Sequence, residues 1–293
     1  MKISHSDIKS LNKCEFRWYY ERHLNLIPVA GLPLPMEVGT FGHSLMEESF
    51  KVLQAGGTFE EATAAAGALL QGVTEPAMMK VFRNVLAFVA YFQEQPWRVH
   101  QIEDKGSYVF AEGKEFGFTP DLVVEILDGP LKGQFIVVDY KFTGQYWVDR
   151  EVNMHSQVPK YMLYKKMRDG LDIKRGLIVM LNTRAKADTT GTDLFLLKWI
   201  TPSTRRLENL HRENENMIDR ILMLKKYAEK YGDEELRLIL THTGDEKQCK
   251  MCHFADDICP MQFDGKDITR VIKRNYKQND TYGYNGEMDG NNA

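Results

Sequence analysis

Two groups of residues in this chain are of types, and at spacings, that do chemistry. The first is IVVDYKFTG at residues 136–144. In an extended strand, side chains two apart share a face, so Asp139 and Lys141 point the same way. A carboxylate and an ammonium at the end of an apolar run are costly unless they serve each other or a ligand. Asp121, in GFTPDLVVEIL, lies on the preceding strand. A hairpin centred on DGPLKG sets it opposite about residue 140, within one register step of Asp139 and Lys141. Two carboxylates converging in this way bind a hard divalent cation such as Mg²⁺ or Mn²⁺ through oxygen. A neighbouring lysine then orients a water or stabilises charge on a phosphate. Taken alone, the same pattern also describes a structural ion pair.

The second group is the cysteines, four in all: Cys14 near the start, and Cys249, Cys252 and Cys259 in CKMCHFADDICP, spaced C-x2-C-x6-C. Four thiolates close a metal site, either a tetrahedral zinc or an iron–sulfur cluster. Zinc sites usually come as two close pairs, and a one-plus-three split fits that template poorly. The spacing therefore leans towards a cubane cluster tying the front of the chain to its back, with buried free thiols or disulfides as the alternative.

Other residues bear on the first group. In GTFGHSLMEESF, His43 stands at the start of an expected helix after a Gly-Thr-Phe-Gly turn, where its imidazole is a further candidate ligand. In HSQVPKYMLYKK, Gln157 and Tyr161 share a helix face at i, i+4, where they could hold the lysine and a phosphate. Phe16, Trp18 and Tyr20 could stack on bases, although packing along their helix is the simpler reading.

The elements that must carry these residues follow from pattern. Ser4 with Asp7 resembles a capping box, so a helix is expected from about 6 to 22. Residues 28–38 read as a Pro- and Gly-broken loop. Helices are expected from about 40, over 59–72 and over 77–95. Strands follow at 99–111, in the two arms of the hairpin, at 174–182 and at 193–199. Helices over 154–169, 203–230 and 233–240 complete the pattern. The reading is α/β: a mixed central sheet flanked by helices in a single domain over 1–264. It carries a helical insertion at 28–98, a core at 99–200, a cysteine segment at 241–262 and a flexible polar tail from 265.

With 43% hydrophobic and 27% charged residues, the chain can bury a core, and no apolar run is long enough to cross a bilayer. The opening MKISHSDIKSLNKC lacks the apolar core of a secretion signal, so a reducing cytoplasm is expected. Net charge is −3, yet residues 157–206 hold eleven Lys or Arg against four Asp, a local excess suited to phosphates.

In order, the chain reads Cys, G-x3-H, Asp, D-x-K, Q-x3-Y, then C-x2-C-x6-C. This resembles the PD-(D/E)XK nuclease superfamily, and more closely its iron–sulfur branch of CRISPR-adaptation exonucleases, AddB-type nuclease domains and phage relatives. The resemblance implies a restriction-endonuclease-like core in which His43, Asp121, Asp139 and the backbone carbonyl of Tyr140 hold Mg²⁺ or Mn²⁺. It implies that Lys141 positions or activates the attacking water, and that Gln157 and Tyr161 support the site. Cys14, Cys249, Cys252 and Cys259 would hold a structural [4Fe–4S] cluster. Lys160, Lys165, Lys166 and Arg184, from the basic stretch, would line a DNA groove. The implied activity is metal-dependent DNA hydrolysis, from single-stranded or frayed ends, in recombination, repair or replication inside a bacterial or phage-infected cell. Single-strand-binding, annealing or helicase proteins are candidate partners. A non-catalytic DNA-binding scaffold and a zinc-stapled RNA-processing nuclease are the alternatives. The Thr119-Pro120 step before Asp121 departs from the family's plain strand.

Overall fold

The computed structural model describes residues 2–31 and 33–279. In chain order the first elements are β1 (Lys2–Ser4), α1 (His5–Lys13), α2 (Glu15–Trp18), β2 (Leu26–Pro28), α3 (Leu34–Gln54), α4 (Phe59–Ala68) and α5 (Pro76–Gln93). Then come β3 (Trp97–Ile102), β4 (Gly106–Ala111), β5 (Lys114–Phe118), β6 (Leu122–Ile126), β7 (Phe135–Thr143), α6 (Asp149–Met154) and α7 (Gln157–Asp169). The rest are β8 (Ile173–Asn182), β9 (Phe195–Ile200), α8 (Thr204–Tyr231), α9 (Asp233–Ile239), α10 (Glu246–Cys249), α11 (Ile258–Phe263), α12 (Thr269–Asn275) and β10 (Tyr276–Gln278).

The chain divides into two compact units where the sequence suggests one domain. One gathers Met1–Leu32, Val109–Gly117 and Glu213–Ala293; the other is Pro33–Tyr108 with Phe118–Arg212.

The second unit is built on a five-stranded mixed sheet of order β3-β6-β7-β8-β9. Only the β7–β8 pair is parallel, and α6 and α7 lie on the connection between them. Alternation along β7 sorts its side chains. Ile136, Val138 and Tyr140 enter an apolar core with Leu122, Val124, Leu177 and Val179. Val38, Leu45, Met46 and Phe50 of α3 and Val81, Val85, Phe88 and Val89 of α5 close that core. The 34–93 helices thus form a covering layer of the sheet and are not an appended insertion. The opposite face carries Val137, Asp139 and Lys141, and α7 packs there: a side chain on Gly176 would run into Val158.

Helix α3 begins at Leu34, inside the stretch read from sequence as loop. Pro35 is harmless in the first turn, where an N–H has no helical partner to lose. The Gly-Thr-Phe-Gly segment is therefore helical. Gly42 lies against the Phe142 ring, 2.3 Å from where a Cβ would sit, so only glycine lets α3 come this close to the end of β7.

In the other unit, the Ser4–Asp7 capping box forms as expected. The helix it starts stops at Cys14, whose backbone is extended at φ −172° and ψ 130°, and a second short helix and a π-helical turn (Tyr19–His23) follow. Phe16, Trp18 and Tyr20 are 6%, 0% and 0% exposed, so they pack and do not stack on bases. The expected tail from 265 is in part structured. Tyr276 of β10 pairs antiparallel with Pro28 of β2, and its hydroxyl donates to the His253 carbonyl at 2.6 Å and to Asp257 Oδ1 at 2.8 Å. The remainder of that expected tail, residues 280–293, lies outside the described residues. No described helix is long and apolar enough to cross a membrane.

Candidate active site

The site arises where strand pairing ends. The β3–β6 ladder stops at Ile102↔Leu122 and the β6–β7 ladder at Leu122↔Val138. One step further, the register aligns Glu103, Asp121 and Asp139 across three neighbouring strands. Past this point β6 parts from β7, and the freed Tyr140 N–H donates to Asp121 Oδ2 at 2.7 Å. In a strand, the N–H and C=O of one residue project to the same edge, so the Tyr140 carbonyl also faces the vacated edge.

His43 of α3 approaches from above the Tyr140 and Phe142 rings, at 6.0 and 5.5 Å between centroids. Its Nδ1 lies 3.6 Å from Asp121 Oδ2 and 3.9 Å from Glu103 Oε1. His43, Glu103 and Asp121 each offer one ligand atom within 4.8 Å of the others. Asp139 is 0% exposed; its Oδ2 lies 2.6 Å from Lys141 Nζ, and its Oδ1 has no hydrogen-bond partner among the described residues. Lys141 Nζ in turn donates to Gln157 Oε1 at 3.3 Å, and Gln157 Nε2 to the Tyr161 hydroxyl at 3.1 Å. The structure thus brings Asp121, Asp139, Lys141, Gln157, Tyr161 and His43 into one region.

Glu103 escapes the sequence reading. It precedes Asp121 by 18 positions, outside any motif, and a bulge between Val99 and Gln101 sets its register. Its φ of 43° is a left-handed backbone that non-glycine residues rarely adopt.

The electrostatics are those of buried carboxylates that repel one another. Burial, then the neighbouring Asp121 and Glu47, push the Glu103 carboxyl up to about 8. Burial and Asp139 raise Asp121 to about 6. Burial works against the Lys141 ammonium, but Asp139 and Asp121 outweigh it, and Lys141 holds its proton more tightly than a free lysine. An orphaned buried carboxylate oxygen beside a His/Glu/Asp triad fits a hard divalent cation.

Asp121 and Glu103 bind protons more tightly folded than unfolded, so their contribution is complete below the unfolded carboxylate range and fades as pH rises through about 6 and about 8. The metal-free protein should lose on the order of a few kcal/mol between about pH 5 and about pH 8.5. Mn²⁺ should raise the melting temperature more at the upper end of that range than at the lower. Thermal unfolding across pH, with and without Mn²⁺ and beside Glu103→Gln, reads this directly; a flat metal-free profile would count against the cluster.

The four residues expected to line a DNA groove divide. Lys166 and Arg184 are exposed. Lys160 and Lys165 are 4% and 0% exposed, because they lie on the inner side of α7, and Lys165 is committed to Asp104 and Asp169. Neither is presented to a phosphate backbone.

The cysteines lie in the other unit. Cys14, Cys249, Cys252 and Cys259 all line one cavity, together with Lys13, Arg17 and His242. The break at Cys14 and the turns between α10 and α11 aim them there. Burial raises the Cys252 thiol and pushes Cys259 up to about 12, so four thiolates need a cationic centre to coexist. Tetrahedral zinc holds its sulfurs roughly 3.8 Å apart, given Zn–S bonds near 2.3 Å. No three of these cysteines offer sulfurs within 4.8 Å of one another.

A sheet whose freed edge gathers carboxylates beside an Asp-x-Lys strand has the donor set for a hard divalent cation next to a single ammonium. Residues 2–260 match the PD-(D/E)XK nuclease superfamily, and the chain belongs to it. No curated protein matches the chain. Among solved structures it is similar to a Eubacterium rectale protein named provisionally as an exonuclease, at 14% identity and a TM-score of 0.43, over 75% of this chain and 80% of that one. It is also similar to SSO0001, at 14% identity and a TM-score of 0.35, over 74% and 84% of the two chains.

Proposed function

We propose that this chain is a metal-dependent deoxyribonuclease that hydrolyses phosphodiester bonds from single-stranded or frayed DNA ends. The observation that carries the reading is Asp139: a fully buried carboxylate with one oxygen paired to Lys141 and the other without a partner, beside the His43, Glu103 and Asp121 ligand atoms. His43, Asp121, Asp139 and the Tyr140 carbonyl are the residues that would hold Mg²⁺ or Mn²⁺. Bound there, the cation neutralises the scissile phosphate and eases deprotonation of water.

The rest is the work of side chains. Asp139 and Asp121 favour the charged form of Lys141, which suits Lys141 to orienting the attacking water and stabilising phosphate charge as an ammonium. Gln157 holds Lys141 by its carbonyl oxygen, and Tyr161 fixes the amide. Lys166 and Arg184 remain candidates for phosphate contact because they are exposed.

The cysteine cavity supports a [4Fe–4S] cluster over zinc, since no three of its sulfurs lie within 4.8 Å of one another, and Lys13 and Arg17 offset a net negative centre. With such a cluster the chain would fall in the iron–sulfur branch of its superfamily, with a role in recombination, repair or replication.

The test is time-resolved digestion of end-labelled DNA with Mn²⁺. Free-ended single strands should shorten progressively, end-blocked strands and closed circles should persist, and RNA of the same sequence should survive. Equal cutting of circular DNA would remove the end-dependent mode, and loss of RNA alone would move the substrate class.

A further inference from the structure

Lys165 is the one described lysine with no side-chain exposure in an ion pair, and its placement has no explanation in the nuclease chemistry above. It donates to Gln101 and, at 2.8 Å, to Asp104 Oδ2, and it pairs with Asp169 one turn along α7. Arg168 joins the same two carboxylates. Room for its guanidinium depends on Gly106, where a Cβ would stand 1.8 Å from Arg168 Nη1. A network in which partly exposed Arg168, Asp104 and Asp169 surround the buried Lys165 ammonium is poor as a source of stability, but it fixes conformation.

What it fixes lies between its two anchors. Gln101 and Asp104 flank Glu103, whose backbone is left-handed without being glycine. The Glu103 N–H donates to the Asp121 carbonyl at 3.0 Å, which closes the third attachment. A residue held in a sparsely populated backbone region persists only where its surroundings over-determine it, and such residues cluster at working sites. The product of this conformation is that the Glu103 carboxylate reaches the His43 and Asp121 ligand atoms.

We propose that Glu103 is a direct ligand of the divalent cation, and that Lys165 and Arg168 are positioning residues that hold it in the site through Asp104 and Gln101. The inference rests on the cation-site reading above and extends it from three side chains to four.

The experiment is calorimetric titration of the full-length protein with MnCl2, below the melting temperature of every variant. Glu103→Gln and Asp104→Asn should each weaken Mn²⁺ binding by about ten- to a hundredfold, the range for ligand and supporting-residue changes. The double variant should be no weaker than Glu103→Gln alone, because Asp104 acts through Glu103. Glu103→Gly should weaken binding while raising the metal-free melting temperature, since it relieves the left-handed backbone; a residue of purely structural value would lower it. Gly106→Ala, which displaces Arg168, provides a second route to the positioning claim should Asp104→Asn fail to fold. Wild-type affinity in Glu103→Gln would overturn the ligand assignment, and wild-type affinity in both Asp104→Asn and Gly106→Ala would overturn the positioning role. A wild-type protein that binds no Mn²⁺ would instead sink the cation-site reading itself.

Discussion

Asparagine at position 139 will stop cleavage while leaving the protein folded. Asp139 contributes two things that the amide cannot. Its Oδ1 is an anionic oxygen with no hydrogen-bond partner among the described residues, and its Oδ2 pairs with Lys141 at 2.6 Å. Removing a preorganised charged group of this kind costs on the order of 10²–10³ in rate, and removing a metal ligand at the same stroke adds to that. A loss of roughly 10³-fold or more in the Mn²⁺-dependent rate is therefore expected. Folding should not suffer. Asp139 stands among Asp121 and Glu103, both of which it pushes upward in pKa, so neutralising it relieves repulsion in the metal-free protein. That relief opposes the loss of the ion pair with Lys141, so the melting temperature of Asp139→Asn without metal should stay close to that of the wild type near pH 8. A variant that still cuts DNA at the native rate would show that the catalytic carboxylate lies elsewhere, whatever its stability.

The hairpin pair of acids was legible in the sequence because two local rules act together there. Alternation put Asp139 and Lys141 on one face, and the turn length set Asp121 within a step of them. The ladder observed, Leu122↔Val138, extends to Asp121 beside Asp139, about one residue from the expected register. The Gln157–Tyr161 face was legible for the same kind of reason, a fixed helical spacing. Glu103 was not, since its approach depends on β3 pairing with β6 through a bulge, a non-local event that leaves no mark in the residues near it. Lys165 was misread as a DNA contact because charge alone suggests solvent; its partners Gln101 and Asp104 are over sixty positions away. The start of α3 was missed because Pro33 and Pro35 read as breakers, although a proline in the first turn removes no helical hydrogen bond.

Cys252→Ser should separate a ligated cavity from one that is merely lined with thiols. Serine nearly matches cysteine in size, and Cys252 is only partly buried, so as a packing change the substitution should cost no more than about 1 kcal/mol. As a ligand, a hydroxyl is a poor partner for a soft metal centre, and losing one of four soft ligands should lose the centre with it. The expected result is a colourless protein without stoichiometric iron or sulfide, and a melting temperature lowered by the equivalent of several kcal/mol, because a centre that binds only the folded chain contributes its binding energy to folding. The unit should still fold when kept cool. Glu15, the residue after Cys14, pairs with Arg220 and accepts from the Thr241 N–H, and Tyr20 donates to Gln262, so the cavity wall has attachments besides the sulfurs. Iron and zinc analysis of anaerobically purified wild type beside the variant decides the matter. Zinc at one equivalent would require the sulfurs to draw together from their present spacing, and a variant that keeps both its metal content and its melting temperature would leave the cysteines as filling.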